Sequence, residues 1–138
     1  MKNVYVLDAC ALIALITDEA GADTVSEIIN SAYRGEANVF LNKLNLLEVY
    51  YGDYRVHGKT AADNMLGKVK KLPISIVHEI SDAVFLEAGR LKAVYKVSIA
   101  DAVALAEASV FGAALVTADH HEMDVVDKNE KIHFLWIR

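Results

Sequence analysis

Five short apolar runs punctuate this chain, and each is separated from the next by a stretch whose apolar residues recur with helical spacing. The runs are Val4-Tyr5-Val6-Leu7, Val39-Phe40-Leu41, Ile74-Ser75-Ile76-Val77, Ala114-Leu115-Val116 and Phe134-Leu135-Trp136-Ile137. A strand with one wet face alternates apolar and polar residues; these do not, so they read as strands covered on both sides. Strands joined through helices pair in parallel, by right-handed crossovers. The chain is therefore expected to form an α/β fold, a sheet with helices over both faces.

The helical stretches have recognisable ends. One begins near Ala11, a second spans 22–34, and a third runs from Asn42 or Lys43 to Tyr54. Thr60-Ala-Ala-Asp63 has the spacing of a capping box and opens a helix that stops before Pro73. Ser81 starts the next helix, which ends near Tyr95. Ser98-Ile-Ala-Asp101 is a second capping-box pattern, leading an Ala-rich helix that Gly112 terminates.

No repeat or Gly/Ser/Pro-rich linker divides the 138 residues, so residues 1–138 are read as one domain. A 54% hydrophobic content excludes a disordered chain. Cys10 is the only cysteine, which excludes an internal disulfide framework and fits a reducing, cytoplasmic setting. The apolar stretch from Ala9 to Ile16 falls far short of the roughly 20 residues a membrane span needs, so no membrane association is expected. Net charge is −5, which argues against a plain basic surface for phosphates.

That objection weakens once the positions of the acids are considered. Asp8 directly follows the first strand, and Asp119 follows the fourth after Thr117 and Ala118. Both should emerge at the carboxyl edge of a parallel sheet, where open α/β sheets bind their ligands. Asp101 stands in the first turn of a helix, and Glu48 interrupts the apolar run Leu46-Leu47-Glu48-Val49-Tyr50 with no Lys or Arg at helical spacing. Each acid alone has an ordinary explanation: Asp8 as a helix cap, Asp101 as a capping-box residue, Asp119 as a turn, Glu48 as a solvent-facing side chain. Four acids converging need cations, because clustered carboxylates repel and an unpaired buried charge is costly. Oxygen-only ligands select hard ions, so Mg²⁺ or Mn²⁺ is the expected cofactor. Two such ions would offset the four charges and allow a phosphate to approach, with Lys68, Lys70, Lys71, Arg90, Lys92 and Lys96 as backbone contacts.

Four segments together resemble the PIN-domain signature. They are Val-Leu-Asp8-Ala-Cys-Ala-Leu-Ile, Leu-Leu-Glu48-Val-Tyr-Tyr-Gly, Ser-Ile-Ala-Asp101-Ala and Leu-Val-Thr117-Ala-Asp119-His-His-Glu-Met-Asp124. Their order and spacing are similar to those of the small VapC-type toxins of toxin–antitoxin modules. The resemblance implies a three-layer α/β/α fold around a mostly parallel five-stranded sheet. It also implies a metal-dependent endoribonuclease that hydrolyses RNA phosphodiester bonds with metal-activated water, forms a homodimer and is inhibited by a cognate antitoxin. By position, Asp8, Glu48, Asp101 and Asp119 match the family's acidic quartet, and Thr117 its site hydroxyl. One departure is Cys10, where the family commonly carries Ser, Thr or Asn; a thiol is a poorer hydrogen-bond partner. Asp124 is a further acid in the last motif.

Other residues read more plainly. His120 and His121 are expected in a loop, packing or facing solvent, and Cys10 has no histidine partner that would make it a nucleophile. Tyr50, Tyr51 and Tyr54 are able to stack on bases but are expected in packing, as is Trp136. A phosphoacceptor module of receiver type would need an acidic pair after the first strand and an Asp after the third; here Asp8 stands alone and His78 follows Val77. A phosphatase using an Asp nucleophile wants a second Asp at the position of Cys10. A catalytically inactive RNA-binding or interaction protein on the same fold remains the competing reading.

Overall fold

The computed structural model describes residues 2–138. Along the chain run β1 (Asn3–Leu7), α1 (Ala9–Ile16), α2 (Ala22–Tyr33), β2 (Ala37–Asn42), α3 (Lys43–His57) and α4 (Lys59–Lys70). They are followed by β3 (Ser75–Val77), α5 (Asp82–Val94), α6 (Ile99–Phe111), β4 (Ala114–Thr117), α7 (His120–Asn129) and β5 (His133–Trp136). The strands form one sheet in the order β3-β2-β1-β4-β5, and every pairing is parallel. The architecture is three-layer α/β/α, and the sheet is wholly rather than mostly parallel.

Side chains alternate across a strand, so adjacent apolar residues feed opposite cores. Leu7, Val39, Leu41 and Val116 pack with Leu12, Val25, Ile29, Met65 and Val69 under α1, α2 and α4. Val6 and Leu115 face the other way, against Leu91 of α5, Leu105 of α6, and Met123 and Val126 of α7. This division explains why the strands show no polar alternation.

Two local expectations are corrected. The Thr60–Asp63 pattern is not used as a capping box. Gly58, at φ +89°, ends α3 and opens α4 in a single residue, so the helix starts before Thr60. Asp63 instead accepts hydrogen bonds from Lys59 and from the Tyr50 hydroxyl. His120 and His121 lie in the first turn of α7, not in a loop. That helix has a weak apolar period, with Met123 and Val126 its only buried residues, but Asp119 caps it.

The strand order places the site. From β1 the chain steps outward to β2 and β3, returns over the opposite face through α5 and α6, and inserts β4 beside β1. The segments leaving β1 and β4 thus turn to opposite faces of the sheet. A crevice opens between them at the carboxyl edge, the switch point of an open α/β sheet.

Candidate metal centre

Asp8 and Asp119 stand on either side of this crevice, and both are helix caps. Asp8 Oδ1 accepts from the Ala11 N–H (2.8 Å) at the start of α1, and Asp119 Oδ1 accepts from the Glu122 N–H (3.2 Å) at the start of α7. Thr117 ties them together. Its hydroxyl donates to Asp8 Oδ2 and accepts from the Asp119 N–H (3.1 Å). Because Thr117 is fully buried and its hydroxyl is engaged both ways, its observed role is to hold the two acids.

Asp101 arrives from the first turn of α6. Ser98 caps this helix, its hydroxyl accepting from the Asp101 N–H (3.1 Å). In a capping box the acid three residues on would return a hydrogen bond to the Ser98 N–H. Here Glu122 of α7 takes that donor (Ser98 N to Glu122 Oε2, 3.2 Å), and the Asp101 carboxyl is released toward the crevice. The same exchange occurs at α7. Glu122 is placed to return a bond to the Asp119 N–H, but Thr117 already occupies it. Asp101, Asp119 and Glu122 consequently offer carboxylate oxygens that all lie within 4.8 Å of one another.

Glu48 comes from α3, where Leu46 and Val49 anchor the helix in the core. Its Oε1 is buried and, among the described residues, has no hydrogen-bond partner. Burial raises its pKa, and the charges of Glu122 and Asp119 raise it further. Burial likewise pushes Asp8 up to about 6; hydrogen bonds from Thr117 and Ala11 pull it down, while Asp119 and Glu48 add to the rise. Asp101 is raised too, first by burial, then by its hydrogen bond with Glu122 and the charges of Asp8 and Glu48. These influences put Asp8, Glu48 and Asp101 in one electrostatic neighbourhood with Asp119 and Glu122, whose charges a cation would offset.

The donor set fits a hard divalent cation, with carboxylate oxygens only, convergent, and the unpartnered buried oxygen of Glu48 is outside that set. Asp101, Asp119 and Glu122 are the residues whose spacing allows a shared ion. Asp8 and Glu48 line the same crevice without belonging to that trio.

Sequence reasoning passed over Glu122. Its signal was present, because Asp119-His-His-Glu122 has the Asp-x-x-Glu spacing of a helix start. Asp124 turns outward, half exposed, and pairs with His120 (2.8 Å). His120 stacks on Trp136, with ring centroids 3.9 Å apart, and reaches the Arg138 carbonyl (2.8 Å). Trp136 is half-buried in the β5 edge and donates its indole N–H to Asp127 (3.1 Å). Tyr51 and Tyr54 are largely exposed, and Tyr50 lies against Tyr54 and Asp63. Cys10 adjoins the cluster. Burial, then the charges of Asp8, Asp119 and Asp101, push its thiol up to about 12, so it stays protonated. Two of the basic residues are engaged within the fold: Arg90 by Glu87 and Glu130, and Lys92 by the Val97 carbonyl.

Comparison with known proteins gives a consistent family. The PIN domain family model matches residues 5–129. No curated protein sequence matches the chain. Among solved structures, VapBC2 from Rickettsia felis bound to a promoter DNA fragment superposes with a TM-score of 0.73 at 14% identity, covering 96% of this chain and 97% of that one. A toxin–antitoxin complex from Klebsiella pneumoniae matches with a TM-score of 0.68 at 18% identity, over 97% and 98% of the two chains. A sarcin–ricin-loop-cleaving VapC toxin of Mycobacterium tuberculosis matches with a TM-score of 0.66 at 15% identity, over 91% and 95%.

Proposed function

We propose that this chain, which belongs to the PIN-domain family, is a divalent-metal-dependent endoribonuclease and the toxin of a toxin–antitoxin pair. The observation that carries this reading is the convergence of Asp101, Asp119 and Glu122 within 4.8 Å beside the buried Asp8 and the unpartnered Glu48 oxygen. These carboxylates come from the starts of two helices, α6 and α7, and once ionised they repel one another unless a cation offsets their charge.

Asp101, Asp119 and Glu122 would hold the ion, with Asp8 and Glu48 completing the acidic wall. A divalent cation in such a site lowers the pKa of water and offsets charge on a phosphodiester. The chain's own residues do the rest. Thr117 and the Ala11 N–H each engage one Asp8 oxygen and so hold that carboxylate in a single orientation beside the other acids. Glu48 Oε1, with no partner of its own, is free to accept a hydrogen bond from a bound water.

RNA as substrate and an antitoxin as partner are supported by the neighbours, of which one is a sarcin–ricin-loop-cleaving toxin and another a toxin–antitoxin complex. A homodimer is supported by an exposed apolar surface lined by Ile80, just before α5, Phe85 of α5 and Ile99 at the start of α6. Among the described residues, no helix is long and apolar enough to cross a membrane.

The test is cleavage of a panel of structured RNAs by purified protein with Mg²⁺, Mn²⁺ or chelator, with Asp8→Asn and Asp101→Asn as controls. Cutting that requires the metal and vanishes in both variants, with their circular dichroism unchanged, supports the reading. RNA binding without turnover would instead favour an inactive binding protein, and cutting that survives verified metal removal would refute the metal role.

A further inference from the structure

One buried carboxyl takes no part in the acidic crevice. Glu107 lies in α6 within the run 102–108, every other member of which is apolar and buried, and it is itself fully buried. Its Oε2 accepts from Asn42 Nδ2 (3.0 Å), while its Oε1 has no partner among the described residues. An ionised carboxylate with one hydrogen bond in such surroundings would cost several kcal/mol. Burial raises the pKa of Glu107, and the hydrogen bond from Asn42 partly offsets that rise.

Asn42 works at both ends of its amide. Its Oδ1 caps α3 by accepting from the Leu44 N–H (2.9 Å), and its Nδ2 grips Glu107. One turn on, the fully buried Asn45 donates to the Ala100 carbonyl (3.3 Å), immediately before Asp101. One turn further stands Glu48. Asn45 and Glu48 share a face of α3 by their spacing, and Asn42 caps the start of that helix. They form a polar seam from α3 to α6 that begins at Glu107 and ends at the acids. Leu44 of α3 packs against the core that α6 helps to build, and the two hydrogen bonds add directional ties between the helices.

We propose that Glu107 is a positioning residue for the metal centre: through Asn42 it fixes the start of α3, and thereby the placement of Glu48 beside Asp101 and Glu122. An apolar residue would pack at least as well in this core, since buried polar groups seldom improve stability. Specific register is what the carboxyl supplies. The proposal rests on the acidic-site reading above.

The experiment measures Mn²⁺ affinity of the full chain by titration calorimetry. Asn42→Ser keeps an α3 cap but removes the donor to Glu107; Glu107→Leu removes the acceptor while filling the space; Glu107→Gln keeps the acceptor and replaces the unpartnered oxygen with an amide nitrogen. Asn42→Ser and Glu107→Leu are expected to weaken Mn²⁺ binding about tenfold, and Glu107→Gln to stay within about twofold of the parent. On a Glu48→Gln background the Asn42→Ser loss should shrink to about twofold or less, because both changes act through one group. A general loosening of the core would not produce that non-additivity. Parent-like affinity in Asn42→Ser, or a full loss on the Glu48→Gln background, overturns the proposal. If Glu107→Leu does not fold, Asn42→Ser and the double variant decide alone. A parent chain that binds no Mn²⁺ would sink the metal reading itself, and the proposal with it.

Discussion

The Thr117 hydroxyl donates to Asp8 Oδ2, joining residues 109 positions apart at the ends of β4 and β1. This bond spans the switch point of the sheet. The same oxygen accepts from the Asp119 N–H, so one buried hydroxyl orients two of the acids.

Replacing Thr117 with Val keeps the volume and removes both bonds. Asp8 then loses a donor and the Asp119 N–H is left unpaired. RNA cleavage and Mn²⁺ affinity should fall by about 10–100-fold, the range for residues that orient metal ligands. Thr117→Ser should retain most of both. Side-by-side rate and binding measurements would check this, and a Val variant as active as its parent would remove Thr117 from the site.

The raised acids make the metal-free fold sensitive to alkali. Asp8 titrates near 6 in the fold against 3.8 outside it. The stability its neutral form contributes is complete below the lower value and is lost as pH rises through the higher one, on the order of 3 kcal/mol. Without metal, the melting temperature should therefore drop between pH 4 and pH 7, with Asp101 contributing in the same direction. Mg²⁺ or Mn²⁺ should restore it more at pH 7 than at pH 5. Melting curves with chelator and with metal at several pH values measure this directly. A metal-free melting temperature that rises over the interval would contradict it.

Glu122 and Asp124 are two residues apart on α7, and only the first turns inward. Glu122→Gln should weaken Mn²⁺ binding by about tenfold or more, whereas Asp124→Asn should leave it within about twofold. The Gln variant retains an acceptor for the Ser98 N–H, so the start of α6 should be preserved. Equal losses in the two variants would mean that net charge, not placement, governs affinity.

Gly21 has φ +97°, and a Cβ there would come within 2.8 Å of the Ile137 carbonyl oxygen. Gly21→Ala meets both left-handed strain and a backbone clash, so it should cost about 1–3 kcal/mol. Chemical denaturation should show this as a lower midpoint without a change in slope. An unchanged midpoint would mean that the C-terminal segment shifts at no cost.

Much of this molecule was legible along the chain. The apolar runs marked the strands because sheets covered on both faces demand them, and Ser81, Ser98 and Gly112 marked helix ends through local hydrogen bonds and backbone freedom. Asp8 and Asp119 stood out because a parallel sheet sends its strand ends to one edge. The segment 120–129 was harder to read, since a short polar helix with two buried residues leaves little periodicity. Glu107 was invisible for a related reason. In an Ala-rich helix buried on nearly every side, no polar stripe marks which positions face inward.

The sequence by itself determined the alternation of strands and helices and the acids at their ends, because burial periodicity and capping depend on residues a few positions apart. Only the tertiary structure decided which carboxyl serves which donor. Glu122 displaces Asp101 at a Ser98 N–H 24 residues distant, and Asn42 finds Glu107 across 65. Pairings of that range are set by how helices dock, and docking follows from the packing of the whole core rather than from any local pattern.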